Sequence, residues 1–180
     1  MKDLSMLEYQ QTVETFAKTG TNFLFHNQGN EHALIVFKSI FQNARRLICI
    51  AADSLANLEV ANSDEYITSL KEYLNQENSR LQILLANPKP DMKKIPLFEM
   101  LKLHPAYQQG RIEIKDGQGK NFRRNGNVFH FCVADNRMYR IESDIDQRSA
   151  ECNFGDMTKS ALVLNLYSNA FNKISECCTL

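Results

Sequence analysis

An α/β fold, with a mixed sheet flanked by helices, is the architecture this sequence predicts. Two observations carry that reading. Short runs dense in apolar and β-branched residues alternate with longer stretches whose apolar positions recur at helical spacing, the pattern of a sheet packed by helices. Near the end, two strand-like runs are separated by a few turn-forming residues, which adds an antiparallel hairpin to an otherwise parallel sheet. The chain has 180 residues, 43% hydrophobic and 23% charged, enough for one full core. No repeat, low-complexity segment or linker divides it, so residues 1–180 are expected to form one domain, with a helix over 4–18 as an N-terminal extension.

In order, Leu4 to Lys18 carries Leu4, Leu7, Val13 and Phe16 at helical spacing, with Ser5 and Glu8 placed as a capping box and Thr19-Gly20 as the stop. Asn22 to Phe25 reads as a short extended piece and Asn27 to Asn30 as a loop. Glu31 to Ala44 is amphipathic, with Ala33, Leu34, Phe37, Ile40 and Phe41 on one side, so Phe37 and Phe41 are expected in the core. Leu47 to Ala51 and Arg80 to Ala86 are continuous apolar runs, as in neighbouring parallel strands covered on both faces. Between them, Ser63 caps a helix from Asp64 to about Gln76. A shorter helix follows over 95–102, stopped at His104-Pro105, and then a strand over 111–115. Lys120 to Asn127 is polar and basic. Val128 to Val133 and Met138 to Glu142 form the hairpin around Ala134-Asp135-Asn136-Arg137. Ala150 to Phe154 is a further strand, and Asp156 caps a helix over 157–174 that buries Phe171.

Formal net charge is zero, which removes the simplest electrostatic case for nucleic acid or acidic membranes. No run approaches the ~20 apolar residues of a membrane span. The N-terminus lacks a signal-peptide pattern, so a cytoplasmic protein is expected. Of five cysteines, Cys49, Cys132 and Cys152 fall in strand patterns, while Cys177-Cys178 lies at the tail. The odd count argues against a disulfide framework, and no spacing suggests a metal or other cofactor.

The stretch from His130 onward resembles one half of a phospholipase D-like domain, over roughly Glu31 to Ile174. That superfamily carries His-x-Lys-x4-Asp on a strand, then a second strand, an Asn-bearing segment and a closing helix. His130 stands at the histidine position, Cys132 at the lysine position and Arg137 at the aspartate position, with Asp135 two residues early. The resemblance thus implies a single-repeat chain with a degenerate motif. It further implies a phosphate-containing ligand, and a homodimer, because the family completes a site from two motifs.

Alternation places His130, Cys132 and Ala134 on one face of the strand, and Arg140 with Glu142 on one face of the next. Arg137 or Arg140 is a candidate replacement for the missing lysine. Glu151 and Asn153, with Ser149, alternate together and are expected in the same cleft. The candidate pocket is therefore His130, Cys132, Arg140, Glu142, Glu151 and Asn153. A Cys132 nucleophile with His130 as base has the right strand spacing but no cysteine-hydrolase signature around it. The stretch from Lys89 to Arg124 gathers Lys93, Lys94, Lys102, Arg111, Lys115, Lys120 and Arg123 around Phe122, and reads either as a solvated face or as a nucleic-acid surface.

Three functions follow as expectations. The first is a non-enzymatic or activity-degenerate phospholipase D-like domain with a binding or regulatory role. The second is a phosphodiesterase or nuclease active as a homodimer through His130. The third is a nucleic-acid-binding module.

Overall fold

The computed structural model describes residues 4–175, and of Arg124 only the backbone. Cys177 and Cys178 lie outside the described residues. The helices are α1 (Met6–Thr19), α2 (Asn30–Asn43), α3 (Asp64–Leu74), α4 (Pro96–Leu103), α5 (Pro105–Gln108) and α6 (Met157–Phe171). The strands are β1 (Phe25–Asn27), β2 (Leu47–Ala52), β3 (Arg80–Leu85), β4 (Ile112–Asp116), β5 (Arg123–Arg124), β6 (Asn127–Val128), β7 (His130–Ala134), β8 (Met138–Asp144) and β9 (Ser149–Asn153).

Seven strands form one mixed sheet in the order β1-β9-β8-β7-β2-β3-β4. The expected neighbours β2 and β3 pair in parallel, from Leu47↔Arg80 to Ala52↔Leu85, and β4 continues the parallel part. From β2 outward through β7, β8, β9 and β1, every pairing is antiparallel. The C-terminal ends of β2 and β3 therefore lie beside the start of β7, where His130 stands.

The two sheet faces are covered unequally. Ile48, Ile50, Leu81, Ile83, Cys132 and Cys152 look toward one core, which also holds Val13 and Ala17 of α1, Val36, Ile40 and Phe41 of α2, Leu70 of α3 and Leu97 of α4. Cys49, Phe131, Val133, Tyr139 and Ile141 look the other way, onto Val163, Tyr167 and Phe171 of α6, with Phe122 and Phe129 packed at the side. Phe171 is 2% exposed. A fully buried ring of this kind contributes about 1.5–3 kcal/mol relative to exposure. The N-terminal helix is thus packed into the core of the larger layer. Its capping box is formed, with the Ser5 hydroxyl and the Glu8 carboxylate each accepting from the other's backbone N–H.

Four local readings are corrected. Sheet pairing of β1 runs over Phe25–Asn27, two residues past where the expected piece ends, because Phe25 and Asn27 face inward against β9. Tyr107 belongs to a short helix, α5, with Pro105 at its first turn and the His104 side chain accepting from the Ala106 N–H. The polar stretch 120–127 contains a two-stranded hairpin, β5–β6, which turns at Asn125 and Gly126, both with positive φ. Phe37 is only partly buried, while Phe41 is fully so. Gly155 has a steric reason: a Cβ there would lie 2.2 Å from the Gly20 carbonyl oxygen.

Candidate functional site

The antiparallel registers His130↔Glu142 and Cys132↔Arg140 put these four residues on one face of the β7–β8 hairpin. The His130 end of that face opens to a cavity, which the Arg140 side chain also lines. About 220 Å³ in volume, it lies at the C-terminal end of β2, under the loop 53–63 and between α2, α3 and the β8–β9 turn. Phe37, Ile50, Val60 and Ala61 line its apolar part. Its polar part comes from Asp53, Ser54, Tyr66, His130, Arg140, Glu142 and Arg148.

The charged base of the cavity is a compact network. Arg140 and Glu142 are only 2% and 3% exposed, and Arg140 Nη2 donates to Glu142 Oε1 at 3.0 Å. Arg140 Nε donates to Asn27 Oδ1 at 3.2 Å, and the guanidinium lies 5.0 Å from the Phe37 ring centroid. On the other side of the same carboxylate, Oε2 lies 3.6 Å from His130 Nδ1 and 3.8 Å from Arg148 Nη1. Burial opposes the charge of Glu142. The His130 contact and the two guanidinium groups together outweigh it and hold the carboxyl below its ordinary range. The lining side chains with fixed charge are two arginines and two carboxylates, Asp53 being held by Asn87 Nδ2 at 2.5 Å. Two polar atoms on the wall, Tyr66 Oη and His130 Nε2, are buried without a hydrogen-bond partner among the described residues.

Cys132 does not line the cavity. It is 0% exposed inside the larger core, and burial drives its thiol far above the usual range. It supplies neither the positive charge of a lysine nor a thiolate nucleophile. Glu151 and Asn153, expected in the same cleft, lie on the opposite sheet face. The register Ile141↔Glu151 and Arg140↔Cys152 gives the cavity side of β9 to Ala150 and Cys152. Glu151 is paired with Lys159 of α6 at 2.6 Å. Asn153 Oδ1 accepts from the N–H groups of Gly155 and Asp156, so it shapes the entry to α6. Ser149 shares their side of β9 and borders other crevices.

Asp135 and Arg137 sit at the turn end of the hairpin, away from His130, and both hold backbone. The Asp135 carboxylate accepts from the N–H groups of Arg45, Arg46 and Leu47 at 2.6–3.0 Å. Arg137 donates to the carbonyls of Phe154 and Asn43 at 3.0 and 3.2 Å. Arg137, a candidate for the lysine's role, is thus turned away from His130 and occupied by backbone, as is Asp135.

Two residues of the network and one of the cavity wall lie outside the candidate set: Asn27, in the expected loop, Arg148, a turn residue with φ 52°, and Tyr66, at an inward position of the helix capped by Ser63. Tyr66 alone had a signal, an inward helical position beside the strand end, and that signal does not separate core from cavity wall. The basic residues from 89 to 124 do not share one surface. Arg111 donates to the carbonyls of Leu74, Gln76 and Ser79 near the N-terminal end of β3. Lys115 Nζ lies over the Phe171 ring, on the α6 face. Lys89, Lys93, Lys94, Lys120 and Arg123 are exposed.

The sequence matches no family model and no curated protein. Among solved structures, TrmBL2, an archaeal chromatin protein with a novel mode of DNA binding, has TM-score 0.59 at 15% identity, over 93% of this chain. This chain spans 60% of TrmBL2's length. Nuc of Salmonella typhimurium, a phospholipase D family member, has TM-score 0.59 at 9% identity, over 89% of this chain and 100% of its own. NucT of Helicobacter pylori has TM-score 0.51 at 12% identity, over 84% of this chain and 98% of its own. At these identities the likeness defines a fold: the chain has a phospholipase D-like α/β fold. Among the described residues, no helix is long and apolar enough to cross a membrane.

Proposed function

We propose that this chain is a binding or regulatory module built on a phospholipase D-like fold, without phosphodiesterase activity. One observation carries the reading. At the position of the family lysine stands Cys132, neutral and enclosed in the core, and the nearest buried cation, Arg140, is already held by Glu142. Phosphoryl transfer through a histidine needs positive charge on the phosphoryl oxygens as the transition state forms. Here that charge is compensated before any ligand arrives. The family likeness suggests a phosphate-containing ligand, with the lining residues Arg148 and His130 as its first contacts. A homodimer with the His130 faces turned to a common groove, and a cytoplasmic location, belong to the same proposal.

Inorganic phosphate is the simplest probe. At about ten times its dissociation constant it should raise the melting temperature of the wild type by roughly 3–6 °C, and that of Arg148→Ala by clearly less. Equal shifts in both proteins would remove Arg148 from the site, and no shift at millimolar phosphate would remove the ligand class. A molar mass of one chain by light scattering, held across micromolar concentrations, would count against the dimer.

A second reading, a nucleic-acid-binding module, is favoured by the exposed cations clustered on the 116–129 connection.

A further inference from the structure

The β5–β6 hairpin stands apart from the main sheet as its own two-stranded ribbon, with Arg123 opposite Val128 and Arg124 opposite Asn127. Its turn needs two consecutive positive φ values, which Asn125 and Gly126 supply at 52° and 83°. The ladder extends to the root, where the Phe129 N–H donates to the Phe122 carbonyl at 3.0 Å. The root is aromatic: Phe122 and Phe129 pack on Phe131 with centroids 4.9 and 5.8 Å away. Behind it, the N–H groups of Gly117 and Gly119 donate to the carbonyls of Leu85 and Ala86 and tie the ribbon to the end of β3. The ribbon is therefore held firmly at its base while its tip is exposed.

Three features of this arm go together. From Gly117 to Ala134 there is no acidic residue, while Lys120, Arg123 and Arg124 are cationic. Lys120 and Arg123 are exposed, and Arg123 is steadied by a 2.8 Å hydrogen bond to the Gly126 carbonyl. Between the arm and the β8–β9 part of the sheet runs a crevice of about 290 Å³, bordered by Asn125, Asn127, Ser143, Ser149 and the partly buried Phe129, with His26 and Glu151 on its far side, the latter paired with Lys159. Cations for phosphates, an aromatic face for stacking, and uncharged amides and hydroxyls for base edges are the components of a single-strand binding surface. The polar tip, Asn125-Gly126-Asn127, offers nothing apolar to insert into a lipid surface.

We infer that the β5–β6 arm binds single-stranded nucleic acid, with Lys120 and Arg123 on the backbone and Phe129 stacking a base in the crevice beside it. This site is separate from the cavity around Glu142 and does not depend on the ligand proposed there.

The test is fluorescence anisotropy of the full chain with a labelled mixed-sequence oligonucleotide of about 20 bases, single-stranded and as a duplex, across a salt series. Binding to the single strand should weaken with salt at a log–log slope of roughly −1.4, as expected for about two phosphate contacts. The double change Lys120→Glu/Arg123→Glu should weaken binding by at least about tenfold and flatten that slope. Phe129→Leu should weaken binding with the slope unchanged, and far-ultraviolet circular dichroism verifies that each variant is folded. Lys102→Glu, an exposed change on α4, should bind as the wild type does. No binding at low salt, tighter binding to the duplex, a double variant equal to the wild type, or binding to vesicles of anionic lipid in place of the oligonucleotide would each overturn the inference. Arg148→Ala should leave oligonucleotide binding intact, so loss of the phosphate site and loss of the arm site are read separately.

Discussion

The β7–β8 hairpin carries ionisable side chains at both ends, and the two ends differ in what those side chains are bonded to. At the turn end, Asp135 and Arg137 are saturated by backbone: three N–H groups converge on the carboxylate, and two carbonyls receive the guanidinium. At the other end, Arg140, Glu142, Arg148 and His130 form a largely buried network beside a cavity, and His130 Nε2 is enclosed without a hydrogen-bond partner among the described residues. The turn end fastens the hairpin to the start of β2 and to the segment before α6. The cavity end holds compensated charge beside a cavity, the arrangement on which the proposal of a non-catalytic binding site rests.

The largest expected effect lies at the cavity end. Arg140→Ala removes the partner of a carboxylate that is almost fully buried, and breaking a buried pair in this way costs about 3–5 kcal/mol. A denaturant midpoint within error of the wild type would show that the network is loose and solvated. At the turn end, Asp135→Ala leaves three N–H groups without their acceptor. We expect a loss of about 2–4 kcal/mol, given that hydrogen bonds to charged groups contribute more than neutral ones. If Asp135→Ala proved harmless while Arg140→Ala did not, the contrast between a structural end and a binding end would fail.

The pH dependence sharpens the same contrast. The Glu142 carboxyl lies below its unfolded value of 4.5, so its contribution to stability is fully present above that pH. It is lost as pH falls through the folded value. Urea midpoints for wild type and Glu142→Gln should therefore differ most at neutral pH and draw together progressively as pH falls below 4.5. A difference that stayed constant down to pH 3 would mean that the carboxyl is not the ionised partner in the fold. The smallest effect is expected from Tyr66→Phe. The hydroxyl is buried and unpartnered, so removing it should change stability by less than about 1 kcal/mol, in either direction. A loss of 2 kcal/mol or more would reveal a partner that the geometry does not contain.

The two ends were not equally legible in the sequence. Alternation along β7 and β8 was enough to place His130, Arg140 and Glu142 together, because a short hairpin fixes both the face and the register. Alternation along β9 correctly grouped Glu151 with Asn153 but not with His130. Period two fixes which residues of a strand share a face, not which face that is. The irregularity between Glu142 and Asp144 separates the phase of β9 from that of β8. Asn27 and Arg148 join the network only through sheet pairing and a tight turn, and nothing local marks either. The apolar runs of β2 and β3 and the striped helices were readable because each buries a continuous face. The β5–β6 arm was missed although Asn125-Gly126 is a strong turn signal, because only two residues flank it on each side.

The account stands most directly on the hydrolysis of bis(p-nitrophenyl) phosphate by the wild type and by His130→Ala, measured side by side at the same protein concentration. Loss of one charge-stabilising group typically costs on the order of 10²–10³ in rate, and on the proposed reading Cys132 and Arg137 stand where the family's lysine and aspartate would be. The expected result is no turnover above background in either protein, and none gained in Cys132→Lys. Wild-type turnover that disappears in His130→Ala would contradict the non-catalytic reading and make His130 the nucleophile of an active enzyme.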